Sequence, residues 1–204
     1  ELFRAFIKNH GAFAMQEAVS KGQYTHPDGI YFGGRREQWS AGLFRHVVRR
    51  ELSRARRVAV VDFHTGLGNY GDAELITEDP SESPAYARAR AWWGEDVRST
   101  QSGESLSAHV LGSVDSCIPS LLPQAQVTMI AVEYGTRSTL EVFDALRADN
   151  WLHTRGDPLG PRAAAIKAQI RDAFFPDQDD WKAMIWRRGE TVQGQAIQGL
   201  TAHG

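Results

Sequence analysis

Arg57-Val58-Ala59-Val60-Val61-Asp62-Phe63-His64 is the stretch whose reading decides the fold. It is short, β-branched and apolar almost throughout. That pattern suits a strand covered on both faces, as in a sheet flanked by helices. A glycine-rich loop, Thr65 to Gly71, follows it. A second such run spans Ala125 to Tyr134, with Val127, Met129, Ile130, Ala131 and Val132, and closes in Glu133-Tyr134-Gly135-Thr136. Between and around these runs the apolar spacing changes to that of helices. Leu2 to Val19, Arg36 to Arg54, Ser83 to Trp93, Val110 to Leu122, Ser138 to Leu152, Pro161 to Phe174 and Gln178 to Ala202 read as helical. Glu74 to Thr77 reads as a short strand, Gly22 to Gly34 as a turn-rich segment, and Ser99 to Ser107 as a loop. Pro161 suits a helix start, and the last helix is weakly apolar and expected to fray. Helices alternating with apolar strands argue for an α/β fold with a mixed, mostly parallel sheet flanked by helices. No linker or repeat divides residues 1–204, so a single domain is expected.

Composition narrows the class. The 204 residues are 42% hydrophobic and 24% charged, which excludes a disordered tail, a collagen-like fibre and a coiled coil. With 23 basic against 25 acidic residues, the chain lacks the basic excess of a general nucleic-acid or membrane-surface binder. The cluster Arg49, Arg50, Arg54, Arg56 and Arg57 therefore reads as a solvated helix end. No apolar run is long enough to span a bilayer. Cys117 is the single cysteine, which makes a reducing, cytoplasmic compartment the default and a buried, inert thiol the expectation. Of six tryptophans, Trp92, Trp93, Trp151, Trp181 and Trp186 fall on expected helices and read as core or subunit contacts, leaving room for a homo-oligomer.

Chemistry-bearing residues gather where the two apolar strands end. In α/β sheets ligands bind beyond the carboxyl ends of strands. Asp62 and His64 are two apart and so point to one side of a strand. Asp62 can then orient the imidazole, as the carboxylate behind a metal-bound histidine does. Glu133 ends the other strand. A polar residue closing a strand is also common without any function, so the pair carries more than either residue alone. Gly66-Leu67-Gly68-Asn69-Tyr70-Gly71 fits a dinucleotide fingerprint, but that motif needs a helix starting among its glycines. The acidic, proline-stopped run Asp72 to Pro80 is no such helix. Three glycines here instead allow positive φ or a close backbone approach.

VVDFHTGLGNYGDAELI at 60–76 and AVEYGT at 131–136 resemble a family of zinc-carboxypeptidase-like proteins of uncharacterised function. That family lies within the metallocarboxypeptidase superfamily, near the aspartoacylase and succinylglutamate desuccinylase branch. GQYTHPDGIYFGG, LRADNWLHTRGDP and IKAQIRDAFFPDQDDWK are similar to it as well, in order, from about Phe13 to Ile185. Asn69 stands where the family usually has proline. The resemblance implies that His64 is the third zinc ligand and that Glu133 is the catalytic glutamate. It implies hydrolysis of an amide bond in a small peptide or N-acyl amino acid, with zinc as cofactor, Glu133 as general base and Asp62 behind the histidine. Tyr70, Thr136, Tyr24 and His26 lie in the matching motifs and are weaker candidates for binding substrate. Their plain readings are aromatic packing, a strand-end hydrogen bond and a satisfied turn.

The superfamily's first two ligands come from a His-x-x-Glu motif, and none of His10, His26, His46, His64, His109, His153 and His203 has Glu three residues on. Its Asn-Arg substrate pair is missing too. The expectation is that the sequence, which starts at Glu1, is the C-terminal portion of a longer enzyme. The reading from a different class is a non-catalytic remnant that keeps the fold for binding or assembly. On the first reading the isolated polypeptide is catalytically silent and holds zinc weakly. Tight stoichiometric uptake in a zinc titration of the isolated chain would refute that.

Overall fold

The apolar run at 57–64 forms the nine-residue strand β1, Arg57–Thr65, in a computed structural model. The structure describes residues 2–202 except 12, 13, 16, 17, 19, 103, 104, 106, 108, 109 and 111, with side chains described from residue 5. Phe13, Val19, His109 and His203 therefore lie outside the described residues. The second apolar run forms β4, Gln126–Tyr134. Between them in sequence lie β2, Ala73–Thr77, and β3, Val97–Ser99. The order across the sheet is β1-β4-β2-β3. β1 pairs with β4 in parallel, β2 with β3 in parallel, and β2 with β4 antiparallel. The sheet is thus mixed, with one antiparallel seam.

Seven helices are described: α1 (Leu2–His10), α2 (Trp39–Leu52), α3 (Pro84–Trp93), α4 (Val114–Leu121), α5 (Thr139–Thr154), α6 (Ala163–Phe174) and α7 (Asp179–Thr201). Local chemistry sets their ends. The Ser83 side chain caps α3 by accepting from the Tyr86 N–H, with Pro84 at the first turn. Ser138 and Glu141 form a capping box on α5.

The alternation of β4 divides the core into two layers. Ile130, Val132 and Tyr134 face α3 and α7, where Trp93, Trp181 and Val192 are buried. Val127 and Met129 face α2 and α4, packing with Val48, Ile118 and Leu122. Beyond the strand ends, α5 and α6 pack on each other through Val142, Ala145 and Ala173. At about 25 cal/mol per Å2 of apolar surface, the fully buried Trp181, Ile130 and Leu122 each contribute on the order of 2 kcal/mol or more.

Several boundaries differ from the sequence reading. The first helix stops at His10, because Gly11 takes φ +87, outside the helical region. The helix expected from Val110 starts only at Val114, where Ser113 caps it, and Pro119 lies inside its last turn. Pro161 precedes α6 by two residues instead of opening it. β3 is a strand of three residues, too short to leave a periodic signature. The last helix, by contrast, runs Asp179–Thr201 against the expected Gln178 to Ala202, with Trp181, Val192 and Ala196 buried along it. β1 departs most. Only Val58 is buried along its length, because β4 is its sole strand neighbour among the described residues.

The loop between β1 and β2 is tied to the end of β4. The Gly66 N–H donates to the Tyr134 carbonyl, Gly71 N–H to the Gly135 carbonyl and Gly135 N–H to the Asp72 carbonyl, at 3.0, 3.0 and 2.9 Å. A β-carbon on Gly135 would overlap the Asn69 carbonyl oxygen. Gly135→Ala is therefore expected to destabilise the fold by about 2 kcal/mol or more, read as a lowered urea midpoint at unchanged m-value.

Candidate functional site

The β1–β4 register sets His64 directly opposite Glu133 and Asp62 opposite Ala131. In a parallel pair, partners in register point to the same face. β2 extends the row, since Glu74 is the partner of Glu133 on its other side. Three ionisable side chains from three strands thus line up across the sheet on the α2/α4 face. The sequence reading paired His64 with Glu133 from strand-end positions alone. It did not find Glu74, because nothing local tells which strand β2 pairs with.

His64 Nε2 lies 2.8 Å from Asp62 Oδ2. That contact leaves Nδ1, which makes no hydrogen bond among the described residues, as the nitrogen turned away from its carboxylate. The imidazole is half exposed. Burial pulls its pKa down, but the hydrogen bond and charge of Asp62, with Glu133 and Asp115 beyond, outweigh this and leave it raised. Glu133 is 8% exposed and accepts a hydrogen bond from the Leu67 N–H at 3.1 Å. Burial pushes its carboxyl up to about 7; the Leu67 N–H and His64 oppose that, and the charges of Glu74 and Asp62 add to it.

Asp115, in the first turn of α4, is a residue the sequence reading missed. Burial, helped by Glu78 and Asp62, pushes it up to about 7. Its only sequence signal was an acid two residues after the capping Ser113, the usual pattern of a helix start. Glu78 also takes a hydrogen bond from the Ser113 hydroxyl at 2.6 Å. The imidazole of His64 therefore faces an acidic neighbourhood drawn from β1, β4 and α4.

The other candidates are placed as follows. Tyr70 donates to Asp180 Oδ1 at 2.9 Å and packs against the α3/α7 core. Thr136 is buried and its hydroxyl is committed to the Ala173 carbonyl at 2.6 Å. Tyr24 is exposed, with its ring over Gly33. His26 takes part in a turn with Thr25 and lines a pocket against α5, a pocket to which neither His64 nor Glu133 contributes. The glycine loop leads into the strand β2, not a helix, so the phosphate-facing helix start of a dinucleotide fold is not formed. Its glycines take positive φ: 128° at Gly66, 100° at Gly68 and 77° at Gly71. The resulting bend aims the Leu67 N–H at Glu133.

Among the described residues no group of three or more His, Cys, Asp or Glu side chains is arranged to hold a metal ion. The donor set fits one corner of such a site: an imidazole with one nitrogen held by a carboxylate and the other unengaged. No described helix is long and apolar enough to cross a membrane. Cys117, expected to be buried, is only half-buried against the α2/α4 core.

Residues 2–188 match the model of a family described as "Protein of unknown function (DUF2817)". No curated protein and no solved structure gives a match.

A raised carboxyl pKa fixes the sign of a pH effect. Glu133 is protonated both folded and unfolded well below its ordinary value of 4.5, so it imposes no penalty there. Between that value and about 7 the unfolded chain ionises first, and stability falls as pH rises. Glu133→Gln removes this contribution. The stability of the variant relative to wild type, read from denaturant unfolding, is expected to climb between about pH 5 and pH 8 by up to roughly 3 kcal/mol. A constant difference across that range would show that Glu133 ionises normally.

Proposed function

We propose a function from the premise that the chain belongs to the family of unknown function DUF2817, to which no activity is attached. The proposal is a metal-dependent amide hydrolase of the carboxypeptidase or deacylase kind, acting on a small peptide or an N-acyl amino acid. The observation that carries it is the cross-strand pair: a half-exposed imidazole braced by a carboxylate, beside a buried glutamate of raised pKa. Perturbed ionisable groups gathered at the carboxyl end of a sheet are what a functional site requires.

Each side chain has a part in this reading. Asp62 accepts the Nε2–H of His64 and so keeps the lone pair on Nδ1, ready to coordinate. A zinc ion, when bound, would polarise the amide carbonyl and acidify a water molecule. His64 supplies one ligand to it, and further ligands have to come from outside the described residues. Glu133, poised near neutrality, takes a proton from the attacking water and returns it to the leaving amine. The Leu67 N–H holds the Glu133 carboxyl in place for both transfers.

The test compares the natural protein with two variants on a panel of peptides and N-acyl amino acids. Glu133→Gln is expected to lower kcat by at least about 100-fold with metal content unchanged. His64→Ala is expected to lower metal content and activity together. Equal turnover by wild type and Glu133→Gln would refute the base assignment. A wild type inactive on the whole panel, with stoichiometric zinc bound, would favour the remnant reading.

A further inference from the structure

The turn-rich segment at 22–34 is folded around one side chain. The Gln23 amide accepts from the Thr25 and His26 N–H groups at 2.9 and 2.7 Å. It donates to the His26 and Ile30 carbonyls at 2.8 and 3.3 Å. Tyr31 is held at φ 59, a conformation that a bulky residue keeps only when its surroundings impose it. The loop is thus shaped by its own hydrogen bonds. It is also fixed to α5, because Asn150 Nδ2 donates to the Asp28 carbonyl at 2.9 Å, across 122 residues of chain.

Between this loop and α5 lies a cavity of about 540 Å3, within the range of roughly 300–1,000 Å3 usual for small-molecule sites. Phe143, Arg147 and Trp151 recur every four residues on α5 and so share the face turned to the loop, with Arg155 at the end of the same row. His26 and Ile30 come from the loop. The lining therefore combines an apolar surface, from Ile30, Phe143 and Trp151, with two guanidinium groups and an imidazole. Arg162 stacks on the Trp151 ring at 4.2 Å and steadies it. The Thr25 hydroxyl lies 2.8 Å from His26 Nδ1; when it donates there, Nε2 carries the proton and is a donor to an anion. Asp28 is the one carboxylate in the lining. Asp144 touches Arg147 only at 3.5 Å, between exposed side chains, and such a pair holds a guanidinium weakly. In a chain of net charge -2 this pocket reverses the sign.

We infer that the cavity binds a small organic anion: a carboxylate or phosphate monoester carrying an aromatic or branched apolar body. The arginine forks and His26 take the anionic group, and Ile30, Phe143 and Trp151 take the body. Neither His64 nor Glu133 lines this cavity, so the site stands whether or not the protein hydrolyses amides.

The test is calorimetric titration of the chain, at constant ionic strength, with phenyl phosphate, phenylacetate, benzyl alcohol and benzylamine. The expected result is saturable one-to-one binding of at least one of the anions with Kd below about 1 mM. The alcohol and the amine should bind at least about tenfold more weakly. The tighter of the two anions tells a phosphate ester from a carboxylate as the natural ligand. The double variant Arg147→Gln/Arg155→Gln alters two exposed side chains and should keep the wild-type urea midpoint while losing at least about tenfold in affinity. Glu133→Gln should bind the anion as wild type does. No binding of either anion at about 10 mM would overturn the inference, and so would equal affinity for benzyl alcohol. Binding kept by the double variant and lost in Glu133→Gln would also overturn it, giving the anion to the His64–Glu133 site.

Discussion

Everything at the candidate site depends on the parallel register between β1 and β4. It sets His64 against Glu133, and no other pairing of these strands would do so. A shift by one residue would turn Asp62 and His64 toward the α7 core and bury Phe63 among acids. The hydrophobic alternation of β4 prevents that shift, because Ile130 and Val132 must meet α3 and α7 while Val127 and Met129 meet α2 and α4. The core thus sets the chemistry: packing on both faces of β4 specifies which ionisable groups share a face.

The loop at 66–72 completes the arrangement. Its backbone is tied to Tyr134 and Gly135 by hydrogen bonds, and its Leu67 N–H points at Glu133. An acid held this way is stable in two protonation states. Burial favours the neutral form, while the N–H and the nearby imidazole favour the charged one. The two tendencies nearly balance around neutrality, which is the condition a proton-transferring group needs.

Much of this could be read from the chain alone, for a physical reason. β1 and β4 carry long β-branched runs whose pattern owes nothing to distant residues, and Asp62-x-His64 shares a face by strand geometry. Helix ends set by Ser83 and Ser138 were equally local. What escaped depended on pairing in space. Three residues of β3 have no period to detect, and Glu74 joins the site only because β2 lies antiparallel to β4. Asp115 looks like an ordinary first-turn acid until α4 is folded over the sheet. The exposure of β1 was misjudged because its sequence describes two covered faces, and the described residues cover it incompletely.

The bond from Leu67 to Glu133 joins positions 66 residues apart in the chain. Closing so long a loop costs entropy that only the collapse of the intervening α3, β2 and α4 can offset. The site is therefore complete only once β4 lies between β1 and β2. Before β4 pairs with it, β1 lacks the one strand neighbour it has among the described residues, and its β-branched run has the composition of an aggregating segment. Synthesis of the chain in the cell thus becomes a race between the insertion of β4 and the meeting of two unfinished chains.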